Sequence, residues 1–146
     1  MSRLTASLIL LLTAATAHAV PLSYPVCTKP DGAFGAFLHK FVNDHTFQTS
    51  RIALPLVTRL GDGVTAESTL ETWNKTRLGK LKDVLIYTDA ERKQNDLIQT
   101  VGFVHSQPDV AEVFQGQKDA DSIKLEYWFR KHEGCWYLAE FDDWSE

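Results

Sequence analysis

The sequence predicts an α+β fold, in which one amphipathic helix is followed mainly by strands. Three observations carry this. Phe34, Phe37, Leu38, Phe41 and His45 recur at three- and four-residue spacing, the period of one helix face. In Ser122–Arg130, Ile123, Leu125, Tyr127 and Phe129 alternate with Lys124, Glu126, Trp128 and Arg130, the period of a strand. Cys135–Phe141 is a second β-rich run, and Lys131–Gly134 between the two supplies a glycine for a left-handed turn position, so the pair reads as a hairpin.

The chain begins with an export leader. Arg3 gives a positive start, Leu8–Leu12 form the centre of an apolar run, and Ala17-His18-Ala19 is the small-x-small pattern of a cleavage site, leaving Val20 as the new N-terminus. The run spans about 10–15 residues, short of the ~20 needed to cross a bilayer as a permanent helix. The reading divides the chain into a signal peptide (1–19), an extended lead-in (20–30) and one α+β domain (31–146). Pro21, Pro25 and Pro30 keep the lead-in out of helix.

Within the domain, Asp31 is the expected N-cap of a helix over about Gly32–His45. Arg51–Leu60 is an apolar run ended by Gly61-Asp62-Gly63, and Pro55 within it argues for an edge strand or a bulge. Ser68 with Glu71 has capping-box spacing, though Trp73 and its neighbours suit a strand equally well. Lys82–Thr88 reads as a buried segment. Thr88 with Glu91 repeats the capping-box spacing ahead of a short helix, and Val101–Val104 and Val110–Phe114 read as strands. The acidic end, Glu140–Glu146, reads as a solvated tail.

Loss of Arg3 with the leader takes the formal net charge from −4 to −5, which disfavours a nucleic-acid partner because such binding needs clustered cations. No other segment has the length and apolarity of a membrane span. Cys27 and Cys135 are the only cysteines, and in an oxidising compartment a lone pair points to a disulfide. Neither they nor His39, His45, His105 and His132 have metal-ligand or nucleophile spacing. The sequence therefore calls for no metal, no cofactor and no catalytic residue, and it sets no oligomeric state.

The aromatic-faced helix and the closing strands resemble the nuclear transport factor 2-like superfamily. The match is closer for a group of secreted bacterial domains of unknown function. It rests on Phe37-x-x-x-Phe41-x-x-Asp44-x-x-Phe47-Gln48-x-x-Arg51-Ile52-x-x-Pro55-Leu56, on Trp73, and on Tyr127-x-Phe129 with Gly134-x-Trp136-x-Leu138. It implies a curved antiparallel sheet wrapped around N-terminal helices into a cone, and an exported location. It brings no reaction with it. Enzymes of the wider superfamily place Asp, His, Tyr or Arg inside the cone, and no such set matches here.

The candidate ligand- or partner-binding residues are Arg51, Trp73, Trp128 and Arg130. Arg51 reads first as the partner of Asp44 in a local ion pair with Gln48 alongside, and second as an anion-recognising fork at a pocket mouth. Strand alternation puts Trp128 and Arg130 on one face and Tyr127 and Phe129 on the other; Trp and Arg are favoured interface anchors. The functional reading is an exported, non-catalytic binding domain for a protein or small ligand, one form being an immunity-type inhibitor of a periplasmic toxin. The rival is a small isomerase or hydratase using the cone as its pocket, with one histidine and one carboxylate moving a proton.

Overall fold

The computed structural model describes residues 21–61, 65, 67–80, 85–120 and 122–146. The signal-peptide reading over 1–19 lies outside the described residues. The elements are α1 (Phe34–Asn43), α2 (His45–Thr49), β1 (Ile52–Gly61), β2 (Ser68–Trp73), α3 (Lys75–Leu78), α4 (Asp89–Gln94), β3 (Leu97–Phe103), β4 (Val110–Gln117), β5 (Lys124–His132) and β6 (Cys135–Asp143).

The strands form one unclosed sheet in the order β2-β1-β6-β5-β4-β3. All neighbours are antiparallel except β1 and β6, which are parallel. Register shifts between Ile52 and Val57 and between Trp128 and Phe129 place bulges in the central strands, and bulges bend and twist a sheet. Pro55 sits in the first of these, since β1 lies between two other strands and is not an edge.

The helical stripe meets the concave face. Phe34, Phe37, Phe41 and Val42 are buried with Ile52, Leu56, Val113, Tyr127, Phe129, Trp136, Leu138 and Phe141. Phe129 is the hub, edge-on to Phe34, Phe37 and Phe41 at centroid distances of 5.5, 5.7 and 5.1 Å, an arrangement favoured by the ring quadrupoles. The predicted hairpin is β5–β6. Its turn holds Glu133 at φ 49° and Gly134 at φ 81°, the two positive values of a type I′ turn.

A second, smaller core lies on the other face. Leu22, Tyr24 and Cys27 of the lead-in pack on Ala53, Cys135, Tyr137 and Ala139. The strap is fastened by the Tyr137 hydroxyl donating to the Pro25 carbonyl (2.7 Å), by Ser23 bridging Leu54, and by the Cys27–Cys135 disulfide, Cα atoms 6.6 Å apart.

Several local expectations change. Asp31 does not cap α1; Ala33 holds that position, and the helix ends at Asn43 because Asp44 leaves helical geometry to cap α2, accepting the Phe47 N–H. Of the two readings open at Ser68–Trp73, the strand is the one formed: Ser68–Glu71 begins β2, paired with β1, and is not a capping box. The Thr88–Glu91 box is present, with both reciprocal bonds formed. The strand expected at 101–104 runs over Leu97–Phe103 and the one at 110–114 extends to Gln117. The acidic end is no solvated tail: Phe141 and Asp142 are buried in β6, which both β1 and β5 flank.

Candidate functional site

The four candidate residues do not converge. Arg51 is buried just before β1, and its guanidinium is turned to Asp31 and β6. Nη1 and Nη2 donate to Asp31 Oδ2 and Oδ1 at 2.8 and 3.1 Å, a bidentate fork. Asp31 Oδ2 also accepts the Trp136 N–H at 2.7 Å. Arg51 Cζ lies over the Phe47 ring, 4.9 Å from the centroid, and over that of Tyr137 at 5.6 Å. The expected partner, Asp44, is occupied at the α2 cap, and Gln48 turns to the Phe41 carbonyl. Arg51 is thus a clamp joining lead-in, helices and β6.

Trp73 is also locked away. It is buried at the end of β2, with Nε1 donating to Glu71 Oε2 at 3.0 Å. Arg77 pairs with the same oxygen at 2.6 Å and lies over the indole ring, 4.9 Å from its centroid.

Trp128 and Arg130 share the convex face of β5, opposite the buried Tyr127 and Phe129. Trp128 is half-buried and stands directly across from Glu112 on β4 and Glu140 on β6. One step along, Glu126 stands across from Asp142, which faces Arg59 on β1. Arg59 pairs with Asp142 Oδ2 (3.2 Å) and Glu140 Oε1 (3.4 Å). Burial first, then the Glu140 charge, pushes the Asp142 carboxyl up to about 6, with Arg59 pulling the other way. Its Oδ1 has no hydrogen-bond partner among the described residues. Glu112 is raised by burial and by Glu126. Periodicity located Trp128 and Arg130, but the acidic setting around them depends on which strands become neighbours.

The open space lies elsewhere, at the helical end of the cone. A cavity of about 980 Å³ runs between α1, α2, the start of β1, α3 and α4. Val42, Ile52, Leu54, Leu78, Leu85 and Ile86 form its apolar floor, while His45, Thr46, Thr49, Lys75 and Thr88 bring polar groups to its wall. Glu91 also lines it, but its Oε2 accepts both the N–H and the hydroxyl of Thr88, at 2.8 Å each. The His39–Asp89 contact (3.5 Å) lies on the exposed side of α1 and α4. Asn43 and Arg92 hydrogen bonds hold Asp89 below the usual carboxylate range. No single motif marks the cavity in the sequence, since its floor comes from four separate segments. A second cleft of about 530 Å³ lies beside the Arg51 clamp, with Lys29 and Lys40 on its walls. Among the described residues, no three metal-ligating side chains cluster and no helix is long and apolar enough to cross a membrane.

An unclosed, bent sheet around an N-terminal helical layer is the architecture of an NTF2-like domain. A family model matches residues 32–146, so the chain belongs to that family, and its fold is that of an NTF2-like domain. Among solved structures it is similar to an NTF2-like protein from Bacteroides fragilis, with a TM-score of 0.54 at 16% identity over 84% of this chain and 51% of that one. It therefore spans about half the length of that protein. A cystatin-like protein from Bacteroides caccae aligns with a TM-score of 0.44 at 20% identity, covering 80% of this chain and 78% of its own. An NTF2-like protein of unknown function from Shewanella baltica gives 0.40 at 12% identity, over 77% and 96%. At 16% identity the likeness to the Bacteroides fragilis protein is one of fold. No curated protein matches.

Proposed function

We propose that this chain is an exported binding domain that holds a mainly apolar small ligand in the cavity at the helical end of the cone. The cavity itself carries the reading. Its ~980 Å³ lies at the upper end of the usual range for ligand sites, which combine an apolar lining with a few polar groups. Binding is favoured over acid–base chemistry because the cavity's carboxylate, Glu91, is spent on capping α4. The deeper cone interior is filled by rings of Phe37, Phe41, Tyr127 and Phe129. The leader and the Cys27–Cys135 link support action outside the cytoplasm.

The test is titration with the fluorescent apolar probe N-phenyl-1-naphthylamine, together with native mass spectrometry of protein purified from an exporting host. Saturable, one-to-one binding is expected, and Thr49→Trp at the rim removes it while the fold is retained. A folded Thr49→Trp that binds as well as the parent overturns the assignment.

The convex face favours a second kind of partner. Trp128 amid Glu112, Glu126 and Glu140 suits a basic protein surface, the form an immunity-type inhibitor takes, with Trp128 and Arg130 as anchors.

A further inference from the structure

The two edges of the sheet are unlike. At one, β2 reads Ser-Thr-Leu-Glu-Thr-Trp, and its Glu71 is held by Arg77 and Trp73. Charge and polarity on an edge discourage strand addition. At the other edge, β3 reads Leu-Ile-Gln-Thr-Val-Gly-Phe, with no charge and no proline. It pairs with β4 without a bulge from Leu97↔Gln117 to Phe103↔Ala111, so seven residues run straight. Three of the large apolar side chains exposed among the described residues stand on this strand: Ile98 (37%), Val101 (44%) and Phe103 (54%).

The phase of the ladder shows which backbone groups are free. Val104 N–H donates to the Val110 carbonyl of β4. Even-numbered residues of β3 therefore turn their N–H and C=O inward, and Leu97, Gln99, Val101 and Phe103 turn theirs to the open edge.

We infer that β3 is a homodimer interface, at which two copies pair antiparallel about a two-fold axis through Thr100 and join their sheets into one. The sequence of β3 is self-complementary in this register. Leu97 meets Phe103 of the second copy, and Gln99 meets its Val101. All four residues in each copy have outward groups, so four in-register pairs exchange two bonds each, roughly eight in all. On the concave side, Phe103 and Val101 gain apolar and aliphatic cover. On the convex side, Ile98 stands over Gly102 of the second copy, where the space is open: a Cβ on Gly102 would find only Glu112 Oε2, at 4.0 Å. Thr100 meets Thr100, a favoured cross-strand pair. No like charges are brought together within the strand. Pairing β3 with β2 instead would repeat head to tail without closing, whereas the two-fold pairing closes and leaves only the charged edges outside. The dimer is independent of the cavity, which lies at the helical end.

Sedimentation velocity of the disulfide-intact protein, from micromolar to submillimolar concentration, tests this. A concentration-dependent dimer is expected. Val101→Lys adds a cation to the edge without removing any β3–β4 bond and weakens the dimer at least ~10-fold. Thr100→Cys provides a readout that does not depend on that variant folding. Its two copies sit as a non-hydrogen-bonded pair with Cα atoms about 4.5 Å apart, within disulfide reach, and cross-link under mild oxidation. Thr72→Cys on the β2 edge does not. A monomer throughout the range overturns the inference. So does a dimer unaffected by Val101→Lys, or one in which Thr100→Cys fails to cross-link.

Discussion

Removing Asp31 tests whether the clamp at Arg51 organises the fold. Asp31 and Arg51 side chains are only 11% and 9% exposed, and they share two short bonds. Breaking a buried pair by deleting one partner costs about 3–5 kcal/mol, because the remaining charge stays desolvated. Asp31→Ala also strips the Trp136 N–H of its acceptor, worth about 1 kcal/mol or more when buried. Against that, Arg51 keeps the rings of Phe47 and Tyr137, and the slight exposure admits some water. The lower end of the range is therefore expected, about 3 kcal/mol, or a fall of roughly 10 °C in Tm for a domain of this size. Urea unfolding measures it as a lower midpoint at unchanged slope. Arg51→Met removes the charge but keeps a long side chain between the rings. Asp31→Ala/Arg51→Met should therefore recover part of the loss, with a coupling of at least ~1.5 kcal/mol in the cycle. An Asp31→Ala protein within about 0.5 kcal/mol of the parent, or strictly additive variants, would refute the clamp.

The disulfide spans 108 residues of chain, so its reduction should lower stability by roughly 4–5 kcal/mol in the loop-entropy account; urea curves with and without reductant measure this. Because burial raises the folded Asp142 carboxyl to about 6, above its unfolded value near 4, the native state holds the extra proton between those limits. Asp142 therefore adds stability as pH falls from about 6 toward 4, and that contribution is lost as pH rises through 6; Asp142→Asn should flatten this part of the pH–stability curve relative to the parent. Phe41→Ala deletes a fully buried ring packed on Phe129 and should cost about 3–5 kcal/mol by denaturant titration. Trp128→Ala, on a half-buried ring, should cost much less than Phe41→Ala while reducing affinity for a basic partner by roughly 2 kcal/mol; the reverse ordering removes Trp128 as an anchor.

What was legible in the sequence was whatever two or three neighbouring residues decide. The Phe34–Phe41 stripe, the alternation along β5, the Glu133–Gly134 turn and the Thr88–Glu91 box each depend on contacts within a few residues, and all four are present. Ser68–Glu71 offered the same local signal as Thr88–Glu91. It became a strand because β1 supplied a partner edge, a contact whose value no local pattern contains.

Arg51 shows the same limit at the level of single groups. Asp44 is closer in sequence and has the right charge, so local pattern favours it; Asp31 lies twenty residues away, in a position that suits a helix cap. Three-dimensional accounting reverses both roles. The first N–H groups of α2 need an acceptor, and Asp44, where α1 breaks, is already in place to supply it. That leaves Arg51 desolvated under two rings. Only a carboxylate delivered from outside can neutralise it, and the lead-in delivers Asp31 because the disulfide and the Tyr137–Pro25 bond hold the strap against β6. The Asp31 N–H donates to the Gly134 carbonyl of the hairpin turn (3.0 Å), setting the carboxylate in line with the fork. The conspicuous arginine of the sequence is thus spent on assembly. The surfaces proposed above for a ligand or partner lie elsewhere: the apolar cavity between the helices and the start of β1, and the acidic face around Trp128 and the uncharged edge of β3, whose character depends on strand order.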